Sequence, residues 1–159
     1  IKSEHMRIEI IPASMEISMT CTQLGIPQTT LWNKRPDWTF DGADEVDPLH
    51  NLIKGRGGAL FKEKLLISCS KRTFIVIDKS KYVSRLGNNF PIPVEVFPLG
   101  LEYVDDRLMT LGASKTILRM AKGKDGPIYL SLEKEIKGIT GVIESGLFIG
   151  YNVEVLVAE

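Results

Sequence analysis

The sequence predicts an α/β protein built on a parallel sheet, with a smaller α+β unit before its last strand. Over the first ninety residues, apolar strand-like runs alternate with helical runs, which is typical of parallel sheets with right-handed crossovers. From residue 91 the order becomes strand–helix–strand–strand–helix–strand, the pattern of a small antiparallel α+β domain. We therefore predict one domain from residues 1–90 plus 151–159 and a second from residues 91–150.

Four strands and two helices are predicted in the first part. The strands are at 7–11, 29–32, 37–40 and 73–78, and the helices at 14–25 and 57–71. The first strand has branched apolar residues and stops at Pro12. The first helix has Ser14 as its N-cap and Gly25 as its stop signal. Asp41 and Asp78 follow or end strands, so both should lie at the carboxyl edge of the sheet, where α/β proteins bind ligands.

The second part carries strand and helix signals punctuated by proline and glycine. The predicted elements are a strand among Pro91, Pro93 and Pro98, a helix ended by Gly112, strands at 115–121 and 127–131, a helix at 132–138, a strand region at 142–150 and a last strand at 152–159. That last strand could return to the first sheet.

Composition limits the partners that this chain could have. Twenty basic residues balance twenty acidic ones, so we expect neither nucleic acid nor an anionic membrane as partner. No apolar run reaches the roughly 18 residues of a membrane span. Cys21 and Cys69 form no CxxC motif and are predicted to be unpaired, which fits the cytoplasm. The sequence starts with Ile and has no secretion signal, so we expect a processed or partial chain.

An acidic turn, "FDGAD", follows the strand predicted at 37–40. Gly42 permits a tight turn, and Asp44 follows Asp41 after three residues. Carboxylates there can accept hydrogen bonds from sugar hydroxyls or bind a hard cation. The spacing does not match a calcium-binding loop. A magnesium site and a solvated loop with a helix cap both remain open.

A glycine-rich turn, "KGRGG", precedes the second predicted helix. Such a turn exposes backbone N–H groups and the positive end of the helix dipole to an anion, although it is neither a P-loop nor a GxGxxG motif. Glu63 lies about one turn into this helix, and Lys54 precedes the glycines. Glu63 could be a surface group or, in a closed apolar pocket, a general base. The stretch Asp41–Glu63 is the candidate site.

Five motifs together carry a resemblance to a known family. They are "DGADEVDP", "NLIKGRGGALFKEKLLIS", "DKSK", "PIPVEV" and "GLFIG", and in this order they resemble the type A family of ribose-5-phosphate isomerase. The likeness is dense from Trp38 to Lys81 and looser as far as Gly150. It implies a Rossmann-like domain with a ferredoxin-like lid, assembly as a homodimer or homotetramer, and a sugar phosphate as ligand. It also implies interconversion of ribose 5-phosphate and ribulose 5-phosphate without metal or cofactor.

The resemblance also implies roles for individual residues. Glu63 would move a proton between C2 and C1 through an enediolate. Asp41 and Asp44 would hold sugar hydroxyls and assist ring opening. Lys54 and the backbone of the glycine-rich turn would stabilise the oxyanion, and Lys81 would contact the substrate. The implied substrate-binding residues are Asp41, Gly42, Ala43, Asp44, Lys54, Gly55, Arg56, Gly57 and Lys81.

Three features depart from the family pattern. Arg56 replaces a more usual glycine, and we expect its side chain to face outward or toward the phosphate. A Thr/Ser/Gly-rich phosphate loop, expected some tens of residues before 7–11, is not in this sequence, and a lid stretch is missing between Ser131 and Leu132. We expect these parts to belong to the natural polypeptide. The alternatives are an inactive sugar-phosphate-binding or sensor domain and a metal-dependent phosphohydrolase.

Overall fold

The computed structural model describes residues 7–118 and 133–158. The helices are α1 (Met15–Gln23), α2 (Leu60–Cys69), α3 (Leu101–Thr110) and α4 (Glu133–Lys137). The strands are β1 (Trp38–Asp41), β2 (Glu45–Val46), β3 (Leu52–Ile53), β4 (Arg72–Asp78), β5 (Val94–Val96), β6 (Val142–Ser145), β7 (Leu147–Phe148) and β8 (Val153–Ala158). In these ranges no helix is long and apolar enough to cross a membrane.

A parallel sheet of three strands, in the order β1-β4-β8, organises the first part of the chain. Ile75 and Ile77 of the central strand are buried because alternate side chains of β4 face α2 and the loops before it. The predicted return of the last strand is confirmed, since β8 pairs with β4 from Val153 to Ala158. One hydrophobic core cluster includes residues of this sheet and of α2. Its members are Val46, Leu52, Leu60, Ile67, Ile75, Ile77, Phe148 and Val153.

The start of the chain is partly as predicted. Helix α1 is capped by Ser14, whose hydroxyl accepts from the Ile17 N–H at 3.2 Å. Gly25 then adopts a φ of 64°, as a helix-ending glycine does. Both cysteines are free, as predicted; Cys21 is buried and Cys69 half-buried.

The strands predicted at 7–11 and 29–32 are wrong. Only an isolated bridge joins Ile10 to Gln28, and residues 31–33 form a turn in which the Asn33 and Lys34 N–H groups both bond to the Thr30 carbonyl. Branched residues form a strand only where a neighbouring segment can pair with them over several residues. Within the described residues, the pairing of Ile10 is a single bridge.

The second part packs on the first through a separate cluster. Strands β5 and β6 pair antiparallel, and the cluster joins both parts through Ile53, Val83, Leu86, Ile92, Ile136 and Leu147. Strand β7 pairs antiparallel with β3, so residues within 91–150 contribute to a sheet of the first part. The division at 90/91 and 150/151 stays a prediction. Residues 115–118 form no strand, so the described part of the strand predicted at 115–121 is wrong. The rest of that prediction and the strand predicted at 127–131 lie outside the described residues, and so does the ferredoxin-like order of the lid.

Candidate active site

Lys54 is the centre around which the predicted residues converge. Its side chain follows β3 and is only 3% exposed. The ammonium lies 2.9 Å from Asp41 Oδ2 and 3.3 Å from Glu63 Oε2, and it donates to the Gly42 carbonyl at 2.5 Å. Its own backbone N–H donates to the Gly146 carbonyl at 3.0 Å. The buried ammonium of Lys54 therefore connects the end of β1, through Asp41, with the first turn of α2, through Glu63.

The glycine-rich turn adds backbone donors beside Asp44. The Arg56 N–H donates to Asp44 Oδ2 at 3.3 Å, and the Asp44 N–H donates to the Ile53 carbonyl at 2.8 Å. Gly55 and Gly58 have φ values of 109° and 83°, which residues with a side chain rarely adopt. Burial raises the pKa of Asp44, and the Arg56 N–H works against this rise.

Glu63 lies in the first turn of α2, as predicted. Burial raises the pKa of this carboxyl, the nearby Lys54 ammonium opposes the rise, and the negative charge of Asp41 adds to it. Oε2 is buried and accepts no well-formed hydrogen bond from the described residues, although it is ion-paired with Lys54. A Cβ on Gly57 would come within 3.9 Å of Glu63 Oε1, so the bare backbone of the turn borders the carboxylate.

Helix α2 receives its N-terminal cap from a distant strand. Its N-cap residue, Ala59, has no side chain that can accept a hydrogen bond. Instead, the Phe61 N–H donates to Glu95 Oε2, on β5, at 3.2 Å. Sequence reasoning missed Glu95, because nothing local connects it to a helix that begins 35 residues earlier.

A buried ion pair fixes the other face of the same helix. Lys64 donates to Glu144 Oε1 at 2.9 Å and to the Leu147 carbonyl at 2.6 Å. The ring of Phe148 lies near two ammonium groups, 5.8 Å from Lys54 and 4.6 Å from Lys64. Sequence reasoning missed this group too. The signal was present, because Lys64 occupies the i+4 position after buried Leu60 on the apolar face of α2.

The other predicted residues make different contacts from those of Lys54. Arg56 and Lys81 both lie against the ring of Phe90, with the Arg56 Cζ 4.1 Å and the Lys81 Nζ 5.5 Å from its centroid. Ala43 packs on the core cluster below. Asp78, expected at the same edge, is exposed and accepts from the Ser80 N–H at 2.8 Å, so it caps the turn after β4.

The geometry also bears on the magnesium hypothesis. Asp41 Oδ2 is paired with the Lys54 ammonium, and Asp44 Oδ2 accepts a backbone N–H. In the described part of the chain, no group of three or more His, Cys, Asp or Glu side chains could hold a metal ion. The absence of a cofactor stays a prediction.

Comparison with known proteins shows the family to which the chain belongs. The family model described as "Ribose 5-phosphate isomerase A (phosphoriboisomerase A)" matches residues 9–131. The chain belongs to this family. Ribose-5-phosphate isomerase A of Thermosynechococcus vestitus is 39% identical, over 99% of this chain and 75% of that protein. The corresponding protein of a Synechococcus strain is 41% identical, over 98% and 75%.

Solved structures give the same result. Ribose 5-phosphate isomerase A from Methanocaldococcus jannaschii superposes with a TM-score of 0.84 at 36% identity, covering 94% of this chain and 73% of its own. A D-ribose-5-phosphate isomerase in complex with phospho-erythronic acid has a TM-score of 0.89 at 32% identity, covering 98% and 76%. The predicted family, the Rossmann-like α/β fold and the assignment to the isomerases are confirmed.

Proposed function

We propose that this chain interconverts D-ribose 5-phosphate and D-ribulose 5-phosphate through an enediolate. The observation that carries this proposal is the carboxylate of Glu63, whose Oε2 is buried 3.3 Å from the buried ammonium of Lys54, which also pairs with Asp41 at 2.9 Å. Membership of the ribose-5-phosphate isomerase A family supports the substrate. A sugar phosphate is the proposed ligand for the same reason, and one solved relative is in complex with phospho-erythronic acid.

Glu63 is the proposed base. In its ionised form it removes the proton from C2 of the open aldose; the electrons of that C–H bond form the C1–C2 double bond, and the π electrons of the C1 carbonyl move onto O1. A proton then passes from the O2 hydroxyl to O1. The carboxyl of Glu63 returns its proton to C1 as the C1–C2 π electrons take it up, and the negative charge on O2 collapses into the C2 carbonyl. One carboxyl group can serve two adjacent carbons because they lie only one bond apart. Burial raises the pKa of Glu63, which brings the strength of the base closer to the working pH.

Lys54 and the glycine-rich turn are the proposed oxyanion stabilisers. The enediolate carries negative charge on oxygen, and a preorganised donor at such an oxygen typically contributes about 3–4 kcal/mol to transition-state stability. The backbone N–H groups of Gly55, Arg56 and Gly57 precede α2, whose dipole adds positive potential at this end.

Asp41 and Asp44 are the proposed ligands of the sugar hydroxyls. Both oxygens of Asp41 are oriented by protein donors, Oδ2 by Lys54 and Oδ1 by the Gly42 N–H at 2.7 Å, whereas Asp44 accepts from the Arg56 N–H on Oδ2. A carboxylate has about four acceptor positions, so both groups keep the acceptor capacity that a row of hydroxyl groups requires. Lys81, in the turn after β4, is proposed to contact the substrate from the neighbouring strand end.

We also propose assembly as a homodimer or homotetramer and a location in the cytoplasm. The free cysteines, Cys21 and Cys69, support a reducing compartment. An inactive sugar-phosphate-binding or sensor domain is disfavoured, because binding alone does not need a buried base paired with an ammonium group.

The test is the rate of ketulose formation from ribose 5-phosphate. Glu63→Gln should lower kcat by about 10²–10⁴-fold, the usual contribution of a general base. Glu102→Gln is the matched control, because Glu102 is an exposed glutamate in the first turn of α3, and it should leave kcat unchanged. Full activity of Glu63→Gln would disprove the role of the base. Release of inorganic phosphate that EDTA abolishes would favour a phosphohydrolase instead.

A further inference from the structure

One short segment, residues 144–148, contacts both halves of the proposed catalytic ion pair. The Gly146 carbonyl accepts from the Lys54 N–H at 3.0 Å, and the Glu144 carboxylate accepts from the Lys64 ammonium at 2.9 Å. Lys64 follows the proposed base directly in α2. The segment therefore joins the chain at the end of β3, which carries the catalytic ammonium, to the helix that carries the base.

The contact with Lys64 is buried and has several partners. Lys64 is 2% exposed and Glu144 is 5% exposed. The ammonium also donates to the Leu147 carbonyl at 2.6 Å, and Glu144 Oε1 accepts from the Ser145 N–H at 2.8 Å. Glu144 Oε2 accepts from Lys137, on α4, at 3.0 Å. Charge-assisted hydrogen bonds are strong and directional, so they fix Lys64 in position against the segment.

A second carboxylate of the same strand pair holds the beginning of α2. Glu95 of β5 lies directly opposite Glu144 of β6, and the side chains of opposed residues extend from the same face of an antiparallel pair. Glu95 accepts from the Phe61 N–H at 3.2 Å. Phe61 and Lys64 precede and follow Glu63 in the sequence. The two glutamates therefore attach α2 to β5 and β6 at two points that are about one helical turn apart.

Two attachment points of this kind fix the rotation of α2 about its own axis. The tip of a helical side chain lies about 5–6 Å from the axis, so a rotation of about 10° would move the Glu63 carboxylate by about 1 Å. A displacement of this size in a reacting group can lower the rate about 10²-fold. The 3.3 Å separation of Glu63 and Lys54 is exposed to this effect, because both partners are held by the same segment.

We propose that Lys64 and Glu144 are positioning residues for the isomerisation, and that together with Glu95 they set the place of Glu63 relative to Lys54. The inference rests on the proposed function, in which Glu63 is the base. Lys64 and Glu144 act through α2 and not by contact with the substrate. An ion pair that served only the stability of the fold could be exchanged for apolar side chains without loss of turnover.

The test is the double variant Lys64→Met with Glu144→Leu, compared with the wild type in urea denaturation and in steady-state kinetics. Apolar residues of similar volume often replace a buried ion pair with little change in stability, so most of the free energy of unfolding should remain. Apolar contacts lack the direction of the bonds that fix the helix. We expect kcat to fall about 10–10²-fold, and KM to change by less than about threefold because neither residue contacts the substrate.

Arg72→Met with Glu154→Leu is the matched control, because it makes the same kind of exchange in a pair that does not touch α2. Arg72 and Glu154 join β4 to β8 through hydrogen bonds of 2.8 and 2.9 Å, and both side chains are about half exposed. Arg72 pairs with the first residue of β1, whereas Asp41 is the last residue of that strand. The control should keep the kcat and KM of the wild type.

Two single variants of Glu144 separate position from charge, and they decide the proposal even if the double variant does not fold. Glu144→Gln keeps the length of the side chain and an oxygen that accepts from Lys64, while Glu144→Asp keeps the charge and is one methylene shorter. Positioning predicts the larger loss of kcat in Glu144→Asp. The reverse order would overturn the proposal, and so would wild-type kcat in a folded double variant.

NMR titration of the Glu63 carboxyl requires no turnover. Burial is the main cause of the raised pKa of Glu63, so its displacement in the double variant should move this pKa toward the ordinary 4.5. The control pair should leave the pKa unchanged, and an unchanged pKa in the double variant would overturn the proposal. If the wild type lacked isomerase activity, the proposed function would fail, while the titration would still decide whether Lys64 and Glu144 position Glu63.

Discussion

Gly146 offers a sharp test of how tightly Lys54 must be held. The backbone of Gly146 is hydrogen-bonded to two other backbone segments. Its N–H donates to the Pro93 carbonyl at 2.7 Å, and its carbonyl accepts from the Lys54 N–H at 3.0 Å. A Cβ at this position would lie 2.5 Å from Pro93 Cδ and closer still to the Lys54 carbonyl oxygen. Gly146→Ala therefore cannot be accommodated unless the backbone on one side moves.

The size of the effect follows from these distances. Non-bonded carbon atoms are normally about 3.5–4.0 Å apart, so the segments around Gly146 must separate by about 1 Å. Overpacking of this kind typically costs about 1–3 kcal/mol, which for a chain of this length lowers Tm by roughly 2–12 °C. A 1 Å displacement of a positioned group can cost about 10²-fold in rate. We expect kcat of Gly146→Ala to fall by about that factor.

The assay compares kcat at a temperature well below Tm with thermal unfolding followed by circular dichroism. Gly25→Ala is the control for stability alone. Its φ of 64° strains an alanine, while a Cβ there meets no atom within 4 Å and the residue lies at the end of α1. It should lose about 1–2 kcal/mol and keep its kcat. Wild-type kcat and Tm in Gly146→Ala would refute the packing argument, and a kcat loss no greater than in Gly25→Ala would refute the link to Lys54.

Three further predictions concern the surroundings of the base. Because burial raises the pKa of Glu63, kcat/KM should fall with decreasing pH through a value above the ordinary 4.5; a limb at or below that value in the pH–rate profile would contradict it. The raised pKa means that the fold disfavours the ionised form, so Glu63→Gln should unfold at higher urea than wild type at neutral pH. That gain should disappear as the pH falls through the folded-state pKa. Lys64→Met should cost about 3–5 kcal/mol by leaving Glu144 buried with less compensation, and the double variant with Glu144→Leu should recover most of it in urea denaturation. Glu95→Gln keeps an acceptor for the Phe61 N–H and should keep kcat, whereas Glu95→Ala should lose about 1 kcal/mol together with part of kcat; equal behaviour of the two would exclude capping.

The sequence predicted those parts of the fold and site whose signals lie within a few neighbouring residues. Strand β4 and helix α2 were predicted because long periodic runs end in turn residues, and Glu63 because it follows a glycine-rich turn. Residues 7–11 failed because a strand also needs a partner, which sequence periodicity does not report. The roles of Glu95 and Gly146 were missed for the same reason, although both residues stand in motifs quoted from the sequence. Glu95 contacts Phe61, 34 positions away, and Gly146 contacts Lys54, 92 positions away, as well as Pro93. Local periodicity does not report such contacts.

The position of Lys54 gives the proposed reaction a simple electrostatic basis. An ammonium group that is 3% exposed would be costly without compensation, and Asp41, Glu63 and the Gly42 carbonyl supply it. When Glu63 takes the proton from C2, its own charge is lost and a negative charge appears on the substrate oxygen. If that oxygen lies within reach of the same ammonium, the charge around Lys54 is conserved throughout the step. The protein then needs little reorganisation as the charge moves from carboxylate to enediolate, which is the condition under which preorganised groups lower a barrier most effectively.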